Sequence, residues 1–311
     1  MSKAKKYNWQ QLPIVKQILD FTKKYSMPGF DGIPIYNVVS FVIQEVQKDN
    51  ISTRANSIAF SFFLSIFPFT IFIFTLLPHL PFTADYVKTI GESLKNFLPA
   101  NAHEFLMNII YDITSIKRKG LLSVGFFLAL FFSSSGMLTL MSGFDKTYDI
   151  TFKNRPYFRK YLIAIGLTII MGLLFLASVV LVVLSGPLWH LIDSHNQLPI
   201  SSEVIIKTLG WFVIFFLLYT GFTMIYKFGP SMYRRVKYIN PGSLLATILS
   251  ILTSVGFSWF VDQFGRYNEL YGSIGALIVI LLWLQYNAYI LVIGFELNAA
   301  IAVNKDILSE A

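Results

Sequence analysis

The sequence predicts an all-α integral membrane protein: a bundle of about six transmembrane helices with amphipathic interfacial helices beside them. Three observations carry that expectation. Charged residues make up only 14% of the 311 and hydrophobic residues 55%, with mean hydropathy +0.60, whereas soluble domains sit near a quarter charged. Several apolar stretches reach the ~20 residues a helix needs to cross a hydrocarbon core about 30 Å thick. Lys and Arg are dense in alternate connections, as expected of a multi-span chain. There is no cysteine, which excludes disulfides, thiol nucleophiles and thiolate metal sites. The formal charge of +8 fits the basic loops of a membrane protein, so no nucleic-acid partner is expected.

Residues 1–50 form a cytoplasmic N-terminal segment. It is basic and polar at first and ends in turn chemistry at Pro28, Gly29, Asp31 and Gly32. Ile35, Tyr36, Val38, Val39, Val42, Ile43 and Val46 then recur at helical spacing, with Asn37, Gln44, Gln47 and Lys48 between them. That is an amphipathic helix too short and polar to span. No short apolar core with a cleavage site precedes the first span, which is expected to act as an uncleaved signal.

Residues 51–304 form the membrane domain. Ser52 or Thr53 can cap the first span, Arg54 to Pro78. Pro68 lies mid-span and should kink it. Ser61 and Ser65 form a small-residue stripe for helix approach. Residues 79–119 form an outer connection of two amphipathic helices. The second span runs about Leu121–Gly143 and carries the packing cluster Ser133, Ser134, Ser135 and Gly136. The third is Tyr161–Ser185 and the fourth Leu209–Tyr226. The fifth starts at Pro241 after Asn240 and runs to Val261. The sixth starts after Gly272, with Ser273 as cap and Gly275 in its first turn, and its apolar run ends at Ala302. Residues 305–311 are a cytoplasmic tail. With the N-terminus inside, eighteen of the 25 Lys and Arg fall on the cytoplasmic side and seven outside. Both termini are therefore expected in the cytoplasm. Lys117, Arg118 and Lys119 dissent, on the outer side of the second span. There is no internal repeat.

Enzyme signatures are missing: there is no phosphate loop and no GxGxxG. His79, His103, His190 and His195 form no HxH or HxxxH pair, and an i, i+5 pairing of His190 with His195 lacks further ligands. Ser133–Ser135 have no nearby His base and read as packing residues. No metal, cofactor or catalytic residue is expected.

Glu296 is the sharper feature. At 1.5 Å per residue, the sixth helix reaches the inner boundary near Ile293. A carboxylate there faces the negative helix end and needs a compensating cation. Arg54 opens the first span at the same depth, with Arg159, Arg234 and Arg235 as inner-side alternatives. One reading is an ion pair pinning the first and sixth spans. The other is a substrate- or proton-linked carboxylate, because Gln285, Tyr289 and Glu296 share one helical face. Asn298 faces elsewhere and can cap carbonyls. Arg155, Arg159, Arg234 and Arg235 make two basic loops that orient the chain or contact anionic headgroups.

Four blocks resemble the BrkB/YihY family of bacterial inner-membrane proteins, which once carried the label ribonuclease BN. They are RANSIAFSFFLSIFP (54–68), GLLSVGFFLALFFSSSGMLTLMSGFDKTYDI (120–150), YKFGPSMYRRVKYINPGSLLAT (226–247) and FGRYNELYGSIGALIVILLWLQYNAYILVIGFELNAA (264–300). The similarity covers about Asp49 to Asn304. The chain departs from the family pattern at Asp145, where Asn is usual, and near Asn287. The resemblance implies a bacterial inner-membrane protein with about six spans. The family carries links to virulence and to envelope or lipid traffic. The first reading is transport or handling of lipids, with anionic headgroups of membrane lipids meeting the inner basic loops and the sixth-helix stripe lining a path or groove. The alternative is a non-transporting scaffold for envelope partners, and an intramembrane enzyme comes third. The ribonuclease label is unsupported, because a metal-dependent nuclease needs clustered His/Asp ligands. Substrate and oligomeric state are left open by the sequence.

Overall fold

The computed structural model describes residues 13–48, 51–76, 119–193, 201–263 and 273–310. Eight helices occupy them: α1 (Pro13–Lys24), α2 (Ile35–Lys48), α3 (Ile51–Leu76), α4 (Lys119–Ser142), α5 (Tyr157–Asp193), α6 (Ser201–Phe228), α7 (Pro241–Gln263) and α8 (Ser273–Glu310). The last six are each long and apolar enough to cross a membrane, and no strand occurs among the described residues. Sequence and structure therefore agree on an all-α, six-span architecture.

The six spans touch in ring order. Each of α3 to α7 packs on the next, and α8 closes the circle by packing on both α7 and α3. The α3–α4 contact is the most extensive. Small residues make it possible, because a Cβ at Gly136 would sit 2.8 Å from the Phe62 ring and one at Gly125 3.4 Å from the Phe72 backbone. Ser61 belongs to the same seam and donates to Thr139 Oγ1 at 3.2 Å. Ser65 turns back to its own helix, on the Phe62 carbonyl at 2.6 Å. Pro68 lies buried inside a continuous α3. Ser134 is fully buried, Ser133 half-buried and Ser135 exposed; Gly275 is buried in the first turn of α8.

Burial is concentrated at one end. On α5 it comes from Lys160, Ala164 and Leu167, on α6 from Gly221 to Tyr226, on α7 from Gly242 to Ser250, and on α8 mainly from Ala288 to Val303. We call this the basic end. The segments 143–156 and 229–240 join there in a single bridge between Phe152 and Met232, flanked by Lys153 N–H to Ser231 O at 2.7 Å and Tyr233 N–H to Thr151 O at 3.0 Å. Toward the other end the helices expose Phe126, Phe127, Phe131, Leu173, Phe212, Phe216, Leu252 and Trp259. Such surface suits hydrocarbon rather than water.

Several helices depart from the hydropathy reading; α5 runs on to Asp193 rather than ending at Ser185, and α6 begins at Ser201 rather than Leu209. α1 falls in a stretch read as basic and polar, since Ile14, Ile18, Leu19 and Phe21 among lysines give only a short apolar stripe. α8 runs on to Glu310, past the apolar limit at Ala302. Asn304, Lys305 and Asp306 lower hydropathy but do not break a helix. Between α1 and α2 the expected turn is present: Gly29, Asp31 and Gly32 all have positive φ. There Phe30 and Ile33 pack on Ala300 and Ile301 of α8, which ties the N-terminal unit to the bundle. Residues 79–118, including the outer connection, Lys117 and Arg118, lie outside the described residues, as do Gly272, His79, His103 and His195.

Candidate functional site

Four ionisable side chains converge at the basic end. Arg54 lies in the first turn of α3, where Ile51, Ala55 and Ile58 on the same side bury that turn. Its Nη1 donates to Glu296 Oε1 at 3.0 Å, and its Nη2 donates to the Gly143 carbonyl just after α4. Lys146 approaches from the segment after α4 and reaches the same Glu296 oxygen at 2.9 Å. Its Nζ also lies 2.7 Å from Glu45 Oε2 on α2, and Tyr148 OH donates to Glu45 Oε1 at 2.8 Å. Glu296 is completely buried, Lys146 and Glu45 nearly so, and Arg54 keeps about a fifth of its side chain exposed. Two cations and two anions make the cluster neutral, as burial demands. Glu296 Oε2 is the exception: it is buried with no hydrogen-bond partner. Phe295 and Phe144, stacked at 4.4 Å, insulate the cluster on its core side.

The α8 stripe meets α3 residue by residue. Gln285 Nε2 donates to Asn56 Oδ1 at 2.7 Å, and Tyr289 OH donates to Ser52 Oγ at 2.8 Å. One turn toward the basic end on α8 matches one turn back on the antiparallel α3. Gln285, Tyr289 and Glu296 thus all find partners on a single neighbouring helix.

On its other side α8 is crossed by α7 and α6 at backbone contact. A Cβ on Gly242 would lie 2.2 Å from the Gly294 carbonyl, and one on Gly294 would lie 2.4 Å from Tyr226 Oη. Tyr226 OH donates to the Leu291 carbonyl at 2.9 Å. Asn240 caps α7 by accepting the Ser243 N–H at 2.8 Å. Asn298 accepts the Gly242 N–H at 3.0 Å and donates to Asn240 Oδ1 at 2.9 Å. Asn298 therefore caps N–H groups of α7, not carbonyls as the sequence suggested, because the α7 start lies directly on α8.

The basic loops divide by role. Arg155 donates to the carbonyls of Phe228, Gly229 and Pro230 at 3.3, 3.2 and 3.0 Å, satisfying the orphan end of α6. Desolvation by this partial burial pulls its pKa below the usual arginine value. Arg159 is exposed in the first turn of α5. Arg234 and Arg235 face a cavity of about 210 Å³ between the 229–240 segment, the turn at Asp31 and the last part of α8. Asp145 pairs with Lys160 at 2.5 Å, and Asn287 donates to its own helix at the Trp283 carbonyl, 2.9 Å.

The family model described as virulence factor BrkB matches residues 42–310, a span that takes in the charge cluster and the basic loops. The chain belongs to the BrkB family. Its similar relatives include a putative ribonuclease-like protein, YfkH, of Bacillus subtilis, 29% identical over 83% of this chain and 92% of the relative. A UPF0761 membrane protein of Psychromonas ingrahamii is 25% identical over 86% and 88%. One from Coxiella burnetii is 22% identical over 85% and 92%. No solved structure matches. Among the described residues of this BrkB-family chain, no three His, Asp or Glu side chains group to hold a metal.

Glu45, Lys146 and Tyr148 were missed by sequence reasoning. For Glu45 a signal existed. Val38 and Val42 are buried or half-buried on the α8-facing side of α2, and Glu45 continues their stripe at i+7. A carboxylate on the apolar stripe of an amphipathic helix calls for a buried cation. The helix-end argument for Glu296 is also corrected. Because α8 continues to Glu310, Glu296 lies well before the last turn, where the dipole acts. Burial beside two cations explains its pairing instead.

Proposed function

We propose that this BrkB-family protein moves or handles a membrane-borne anionic component, a lipid or envelope constituent, within its ring of six spans. In this reading it resides in the bacterial cytoplasmic membrane, with both termini in the cytoplasm and the basic end inward. The carrying observation is the asymmetry of the ring. Among the described side chains, burial shared by all six helices lies at one end, while at the other α3 and α4 bury residues against each other, and the shared end holds a neutral cluster of four ionisable groups containing an unpartnered carboxylate oxygen. Ionisable groups at membrane depth are costly, and they mark pathways and closures more often than simple packing. The distribution of Lys and Arg supports the orientation.

Reconstitution into liposomes carrying a fluorescent anionic lipid reporter tests the reading. Faster reporter movement than in protein-free vesicles is expected, with a smaller effect on a zwitterionic reporter. Protein-free rates for every lipid class would overturn it. That result would favour the second reading, a static scaffold for envelope partners, which draws its support from the pairing of Gln285, Tyr289 and Glu296 with α3.

A further inference from the structure

The cavity beside Arg234 and Arg235 is walled by Met232, Val236 and Ile239 on one side and by Ile301, Ala302 and Lys305 of α8 on the other. Its 210 Å³ is far above the ~10–15 Å³ that admits one water. It is below the ~300 Å³ at which pockets for drug-sized ligands begin. Its size therefore suits a small polar group with a few carbons attached.

Its charges do not balance. Arg234, Arg235, Lys237 and Lys305 line it, against Asp31 and Asp306. Asp31 is shared between Lys237 Nζ and Lys305 Nζ, both at 2.6 Å. Asp306 accepts the Thr151 hydroxyl at 2.8 Å, and Arg234 only approaches it, at 3.8 Å with three quarters of the arginine side chain exposed. Arg235 has no carboxylate partner among the described residues; its guanidinium lies 5.1 Å from the centre of the Phe228 ring. The net excess is two positive charges.

The wall is also rigid and well placed. The Phe152–Met232 bridge and its flanking hydrogen bonds pin the segment carrying both arginines. That segment is the short link between the spans ending at Phe228 and beginning at Pro241, so it lies at headgroup depth if those helices cross a bilayer. Tyr233, Tyr238 and Ile239 are exposed around it, an amphipathic rim suited to an interface.

We propose that this cavity binds a phosphate group, held by the guanidinium edges of Arg234 and Arg235, with the attached carbons against Met232, Val236 and Ile301. Paired guanidinium N–H groups match phosphate oxygens in fork geometry, and basic pockets between spans take phosphate headgroups. The inference rests on the reading above for its ligand class, not for any movement of that ligand.

The test uses the purified full chain in neutral detergent, titrated separately with short-chain phosphatidylglycerol, short-chain phosphatidylcholine, glycerol phosphate and inorganic phosphate. Saturable binding of phosphatidylglycerol is expected. It should weaken at least tenfold in the Arg234→Gln/Arg235→Gln double variant and change less than twofold in Lys153→Gln, an exposed lysine outside the cavity. Equal or tighter binding of glycerol phosphate or inorganic phosphate would assign the site to a soluble ligand. Ala302→Phe fills the cavity while keeping every charge, so it decides the matter if the double variant fails to fold; it too should abolish saturation. Absence of saturable binding by any probe, or equal loss in Lys153→Gln, overturns the proposal. A chain that binds but leaves the liposome reporter unmoved fails only the transport reading. An unsubstituted chain that moves the reporter yet binds none of the four probes saturably fails only this inference.

Discussion

Lys146 and Glu296 stand 2.9 Å apart although about 150 residues separate them in sequence. Arg54 shares the same carboxylate oxygen, so Glu296 is clamped by two cations from different elements. Removing one partner of a buried pair leaves the other charge uncompensated, at a cost of about 3–5 kcal/mol. Glu296→Gln should therefore lower stability by roughly that amount. Arg54→Gln and Lys146→Met should each couple to it by about 0.5–3 kcal/mol in double-mutant cycles, followed by chemical unfolding in micelles. Additive effects would reject the clamp.

Gly294 and Tyr226 set a second expectation. A methyl at position 294 would collide with the Tyr226 hydroxyl and approach the Gly242 carbonyl. Gly294→Ala should destabilise by at least the ~1–3 kcal/mol typical of overpacking. Tyr226→Phe removes the nearest atom, so the double variant should recover part of the loss in a thermal melt. Failure of any recovery would place the strain at Gly242 alone.

The Asp31 carboxyl is held below its usual range by its hydrogen bond to Lys237 and then by that to Lys305. A carboxylate with a depressed pKa stabilises the fold above its unfolded value of about 3.9 and loses that contribution as pH falls through the lower folded value. Acidification below about pH 4 should loosen the turn between α1 and α2 from α8. Amide exchange of residues 25–35 would report it. Asp31→Asn should show the loosening already at neutral pH, with less acid dependence.

Membrane sidedness can be read with single cysteines, since the native chain has none. Ile239→Cys, 84% exposed at the basic end, should react with a membrane-impermeant maleimide only after cells are opened. Thr208→Cys, exposed near the start of α6, should react in intact cells. The reverse pattern would invert the proposed orientation.

Much of this fold was legible because hydrocarbon imposes one requirement on every span. Length, hydropathy and the Asn240–Pro241 start located the spans, and depth put Arg54 among four candidate counter-charges of Glu296, beside Arg159, Arg234 and Arg235. What escaped was tertiary. Lys146 lies in a basic loop whose sequence suggests orientation or headgroup contact, and nothing local to Phe144–Tyr148 says that the loop folds beneath α8. Sequence offers Arg155 as an orienting charge or a headgroup contact, yet it caps α6, and its carbonyl partners are about 75 residues away in sequence. Charge reveals the depth of a group, while its partner is set by how the helices are ordered around the ring.

The same ordering has a consequence for synthesis. The four charges of the cluster emerge in the sequence Glu45, Arg54, Lys146, Glu296. At about 5–20 residues per second, the ribosome delivers Glu296 on the order of ten seconds after Lys146. Until then Lys146 has only Glu45 as a carboxylate within the cluster, and Arg54 meets its carboxylate only when α8 is inserted. Charge neutrality of the cluster thus arrives with the last helix, and an unfinished or truncated chain stands apart from a finished one by one unmatched positive charge within it.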